Sequence, residues 1–222
     1  LRARADAPPP DELRVHRRYN PEGLSRVNIV PGLIGTILTM TMIMFTALAM
    51  TRERERGTME NLLATPVRPA EVMAGKILPY VVIGYLQLVV ILGAAWLLFR
   101  VPMLGSRPLL GAMIGVFIVA NLAVGFSFST LARNQLQAVQ MTLFFFLPSI
   151  LLSGFMFPFR GMPRWAQAIG EVLPLTHFLR IVRGIMLKGS TLTELLPELG
   201  ALLAFTALVS ALALLRYRQT LD

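Results

Sequence analysis

Cysteine is absent from the 222 residues, and histidine occurs only twice, as His16 and His177. The first absence excludes disulfides and thiolate metal sites. The second leaves little from which to build a histidine metal centre or a Ser-His hydrolytic pair. Charge is scarce too: 15% of the residues are Asp, Glu, Lys or Arg, against roughly 25% in soluble domains. The sequence has no Gly-x-x-x-x-Gly-Lys-Ser/Thr stretch, the loop whose backbone cradles nucleotide phosphates. No cofactor or metal is therefore expected on this chain.

What fills the space is apolar. Hydrophobic residues make up 55% of the sequence and lie in long uncharged runs separated by short charged stretches. A bilayer crossing needs about 20 such residues as a helix. Five segments qualify: 29–50, 77–99, 109–131, 138–158 and 196–215. Proline and glycine inside them are tolerated where a helix bundle re-satisfies the freed backbone groups. The connections differ. Residues 51–76 are polar and charged, 100–108 are short, and 132–137 form a tight polar turn. Residues 159–194 are too amphipathic for a plain loop and too interrupted to span. The net charge of +9 sits mostly on arginines beside apolar runs, which suits lipid headgroups rather than nucleic acid. Residues 1–28 are soluble in character and begin without methionine or a signal-peptide core, which reads as a cut start. Five crossings put the two ends on opposite sides, and the distribution of Lys and Arg leaves open which is which.

The loop at 51–76 can be read physically. Arg52, Glu53, Arg54, Glu55 and Arg56 alternate in sign, as in a solvated helix end or a protein contact. Gly57 and Thr58 break the run, and Thr58 suits the N-cap of a short helix over 59–64. Glu60 falls in its first turn, where the helix dipole favours a carboxylate. Pro66 stops the helix, and Pro69 suits the first turn of the next. The short helix presents Met59, Leu62 and Leu63 on an apolar face. Such a helix docks into a partner groove or rests on lipid; physics alone does not separate the two.

The stretch Glu55-Arg56-Gly57-Thr58-Met59-Glu60-Asn61-Leu62-Leu63-Ala64-Thr65-Pro66-Val67, followed by Gly75-Lys76, closely resembles the signature loop of ABC-2 type transporter permeases. Leu152-Ser153-Gly154-Phe155-Met156-Phe157-Pro158, Met162-Pro163, Leu173-Pro174-Leu175-Thr176-His177-Phe178-Leu179 and Arg183-Gly184 resemble that family's extracytoplasmic hairpin and the segment after it. Asn28-Ile29-Val30-Pro31-Gly32-Leu33 is similar to its span entry. The three matches, in order, cover 28–222. The resemblance implies an all-α membrane domain at 29–222 with a short cytoplasmic coupling helix and an extracytoplasmic helical hairpin. Residues 1–28 become the end of an extracytoplasmic domain, and a sixth span precedes it in the full-length parent. The loop 51–76 and the C-terminus lie inside, in a cell membrane, the bacterial inner membrane by analogy. The implied function is a permease subunit of an ABC exporter, a dimer with itself or a paralogue, driven by a separate cytoplasmic ATPase that binds the ATP. A periplasmic adaptor is a further partner, and nucleic acid is not one.

The resemblance assigns ATPase coupling to Glu55, Gly57, Thr58, Met59, Glu60, Leu62, Leu63 and Pro66, with Glu60 foremost; its bland reading is a first-turn carboxylate. Phe155, Phe157 and Pro158 become an outer gate, with aromatic rings at the membrane interface as physics favours. Asn121 and Gln140 are candidates for a substrate path, although amides in spans more often bond neighbouring helices. His177 lacks a nearby carboxylate in sequence, Glu171 being six residues back, and reads as a structural hydrogen-bonding residue. Two other classes stay open: a non-transporting scaffold, and a membrane-embedded lipid enzyme, which the scarcity of ionisable residues in the spans argues against.

Overall fold

The computed structural model describes residues 25–56, 69–99 and 103–219. It holds α1 (Ser25–Glu55), α2 (Pro69–Phe99), α3 (Arg107–Leu131) and α4 (Gln135–Leu152). A 3-10 turn (Phe159–Gly161), α5 (Arg164–Val172), α6 (Pro174–Arg183), a π-helical turn (Gly184–Lys188) and α7 (Leu192–Gln219) follow. Among the described residues there is no strand, and five helices are long and apolar enough to cross a membrane. This is a multi-pass, all-α membrane protein. The expected coupling helix, with Gly57, Thr58, Met59, Glu60, Leu62, Leu63 and Pro66, lies outside the described residues, as do residues 1–24.

The centre of the bundle is α3. It is buried along most of its length and packs on α1 and α7. Glycine allows the closest approach. A Cβ on Gly125 would stand 2.6 Å from the Ile43 carbonyl oxygen of α1, so a small residue here lets two backbones meet. Many hydroxyls in the spans bond back to the helix, as Thr39 does to Gly35 O at 2.8 Å and Thr142 to Ala138 O at 2.9 Å.

The segment 159–194 resolves into a re-entrant pair. A helix of ten residues, α6, cannot span the ~30 Å hydrocarbon core. Yet it penetrates deeply, for Phe178 stacks on Phe117 with ring centroids 3.8 Å apart and planes 5° from parallel. Phe117 lies ten residues into α3, or about 15 Å at ~1.5 Å per residue. Non-spanning backbone at that depth must be enclosed by protein. Residues Pro174 to Leu179, Ile181 and Val182 are all buried.

One boundary differs from expectation. The fourth span was expected to reach residue 158, but α4 ends at Leu152. Gly154 adopts φ +84°, the left-handed geometry that terminates helices and suits glycine. The chain then turns inward so that the Phe155 ring lies directly on Gly32, where any Cβ would collide with it. The two ends of the bundle are set by contacts. Glu55 meets Gln135 at one end; at the other, Leu104 N–H bonds to Met186 O at 3.1 Å.

Candidate functional site

At the first of these ends, two neighbouring charges grip two different helices. The Arg54 guanidinium Nη1 donates to the carbonyls of Ser129 and Thr130, each at 3.4 Å. Those carbonyls belong to the last turn of α3, where backbone acceptors lack intrahelical partners and the dipole favours a cation. The Glu55 carboxylate accepts from Gln135 N–H at 2.8 Å and from Gln135 Nε2 at 2.5 Å. Gln135 opens α4, where orphan N–H groups and the dipole favour an anion. Asn134 completes that cap by accepting from Gln137 N–H at 2.8 Å. Each charge thus meets the helix end of opposite polarity, and the stretch entering the 57–66 loop is fastened to the α3–α4 turn. Arg52 and Arg56 are exposed. Sequence reading picked out Glu55 but missed Gln135 and the inward role of Arg54. The only signal was that polar 132–137 turn, which ends in an N-cap asparagine.

At the other end, α5, α6 and α7 bring four ionisable side chains together. The Arg180 guanidinium donates to Glu171 at 2.5 Å and to Glu198 at 3.3 Å, and it lies 4.8 Å above the centre of the Phe159 ring. His177 Nε2 contacts the Glu171 carbonyl at 2.8 Å, and Nδ1 contacts Glu198 at 2.5 Å. A carbonyl can only accept, so Nε2 donates the hydrogen of that contact. The Arg180 bond holds the Glu171 carboxyl below its ordinary pKa, and the same bond holds Arg180 above its own. Burial lowers the pKa of Arg183, whose Nη1 donates to Gly154 O at 3.2 Å. The expectation that His177 is structural thus gains its carboxylate, Glu198, which lies 21 residues on and was not visible from local sequence.

The remaining candidates fall in different places. Phe155 is half-buried on Gly32, while Phe157 and Pro158 are exposed beside Met162 and Trp165 in a shallow apolar hollow. Asn121 is fully buried; its Nδ2 donates to Phe117 O at 2.8 Å, and its Oδ1 has no hydrogen-bond partner among the described residues. Gln140 lies on the exposed face of α4, so within one chain the two amides do not share a surface. Among the described residues no group of three His, Asp or Glu side chains could hold a metal.

The family model described as ABC-2 type transporter matches residues 14–187. The "Probable multidrug ABC transporter permease YbhS" of Escherichia coli K12 is 33% identical over 213 residues, covering 95% of this chain and 56% of that protein. The "Probable multidrug ABC transporter permease YbhR" of the same organism is 31% identical, covering 94% of this chain and 56% of that protein. Its "Inner membrane transport permease YhhJ" is 31% identical, covering 99% and 59%. The chain spans little more than half the length of these relatives.

Proposed function

Because the chain belongs to the ABC-2 type transporter family, we propose that it forms part of the membrane pathway of an ATP-driven exporter, with ATP hydrolysed on a separate cytoplasmic subunit. The observation that carries the proposal is the junction of Arg54 and Glu55 with the α3–α4 turn. It stands immediately before the loop that resembles the family's coupling segment. A push on that loop from a partner closing on ATP reaches the ends of two spans through hydrogen bonds to their termini. Two copies of the chain, or one and a paralogue, enclose the path, and alternating access follows from rocking of the bundles. The names of two relatives include multidrug. An apolar interior with the buried amide of Asn121 suits an amphiphilic, drug-like or lipid-linked cargo. An adaptor on the extracytoplasmic side fits the polar character of the N-terminal stretch.

The test is co-purification of the full-length protein from detergent-solubilised membranes, as wild type and as Glu60→Arg. The proposal expects a P-loop ATPase with the wild type and its loss with Glu60→Arg in a folded membrane domain. A wild type that captures no ATPase under mild conditions refutes it. A captured ATPase whose hydrolysis no cargo stimulates points instead to a scaffold.

A further inference from the structure

Near the end of the bundle that holds α6, α2 and α3 do not close on each other. Gly93 and Gly111 stand on these two helices, and a Cβ added to either would meet nothing within 4 Å. The slot between them has a volume of about 540 Å³ and is walled by Leu88, Leu92, Trp96 and Leu110. That is within the ~300–1,000 Å³ of small-molecule sites. The slot is open to the surroundings, for Trp96 is 73% exposed. In a bilayer an open apolar slot at this depth is filled by a hydrocarbon chain, because water there leaves its hydrogen bonds unmade.

The mouth of the slot is different in kind. Arg107 lines it and is the first residue of α3, so its guanidinium lies where a span meets the headgroups. Among the described residues no acidic side chain lines the slot, and Arg107 has no hydrogen bond or ion pair. Three arginines elsewhere in the bundle are, by contrast, engaged: Arg54 caps α3, Arg180 pairs with Glu171, and Arg183 bonds to the Gly154 carbonyl. An apolar slot with one unpaired cation at headgroup level has the charge and shape of an amphiphile with an anionic head. Trp96, an interface-seeking side chain, marks the same level.

We propose that this slot is a binding site for an anionic phospholipid, with one acyl chain between Gly93 and Gly111 and the phosphate on Arg107. A net anionic head is preferred over phosphatidylethanolamine because the ammonium of the latter competes with Arg107 for its own phosphate. The proposal stands apart from the export reading, for it concerns a side of the bundle away from the Arg54–Glu55 junction.

Quenching of Trp96 tests it. The full-length protein, with every other tryptophan replaced by phenylalanine, is placed in nanodiscs containing lipids brominated on their acyl chains. Brominated phosphatidylglycerol is expected to quench Trp96 at about one-fifth the mole fraction needed for phosphatidylethanolamine, the ~1 kcal/mol of one basic side chain near the surface. Arg107→Gln should erase that fivefold preference while leaving quenching by phosphatidylethanolamine intact. Gly93→Leu and Gly111→Leu have room to fill the slot without moving the helices and should reduce quenching by both lipids. Equal quenching by the two lipids in the parent, or an unchanged preference in Arg107→Gln, overturns the proposal. So does a Trp96 shielded from every lipid until the protein is diluted to monomers, which would show a second copy of the chain covering the slot.

Discussion

Arg180 illustrates what one side chain does in a low-dielectric setting. It spans Glu171 on α5 and Glu198 on α7 while covering Phe159. Each partner satisfies donors that would otherwise be costly beside the membrane. Truncating Glu198 to alanine leaves His177 and Arg180 facing a lost carboxylate. The expected cost is about 1–2 kcal/mol, toward the low side for hydrogen bonds to charged groups because Arg180 is partly solvated. It reads out as a lower unfolding midpoint of the detergent-solubilised protein. Glu171 gives a pH prediction. Its pKa is lowered in the folded state by Arg180, so below the ordinary carboxylate range the unfolded chain binds the proton first. The stabilisation is complete above an ordinary carboxylate pKa of about 4.5 and is lost as pH falls through the lower, folded value. Glu171→Gln should therefore flatten the acid limb of a plot of unfolding midpoint against pH; an unchanged limb would assign it to other carboxylates. The sequence displayed all four residues, but a contact between positions 177 and 198 depends on how α6 folds back on α7.

The helix termini carry the argument at the scale of elements. Local sequence sets most of them: Asn134 caps α4, Ser106 caps α3, and Gly154 ends α4 through its positive φ. The Arg54–Glu55 junction goes further, since one helix end supplies charges to two others. Glu55→Gln keeps the size but removes the anion from the α4 N-terminus. We expect ATPase binding to persist in this variant while stimulation of ATP hydrolysis by cargo falls several-fold. A smaller loss is expected for Gln135→Ala, which removes the Nε2 bond but keeps the backbone N–H bond to Glu55, and the double variant should fall short of the sum of the two single losses because the residues share a contact. Additive losses would mean that the two residues act separately. The spans were legible from uncharged runs of helix length. The re-entrant pair was legible only as an anomaly, because the apolar residues of α6 face protein at membrane depth and composition cannot tell a protein neighbour from lipid.

The bundle has two ends, with the Glu55–Gln135 contact at one and the Leu104–Met186 contact at the other. Their assignment to the two faces of the membrane is open to direct measurement. The chain contains no cysteine, so single cysteines report cleanly in a background freed of any others. Arg56→Cys should label only after the cytoplasmic face is exposed, and Trp165→Cys from outside intact cells with the outer membrane permeabilised. The reverse pattern would invert the topology. Both positions are exposed, so neither replacement disturbs the bundle.

The sequence alone places this chain in a membrane, supplies five runs able to cross it, and shows that its loop at 51–76 resembles the signature loop of the family. These are properties of runs and local order, fixed by the energetics of burying uncharged helices in hydrocarbon. Tertiary structure decided which residues meet: α6 stacked on α3, Arg54 and Glu55 on opposite helix ends, and His177 on Glu198. Gly93 opposite an open slot belongs to the same class. These depend on helices distant in sequence coming within a few ångströms, and that proximity is set by packing rather than by the composition of any one segment.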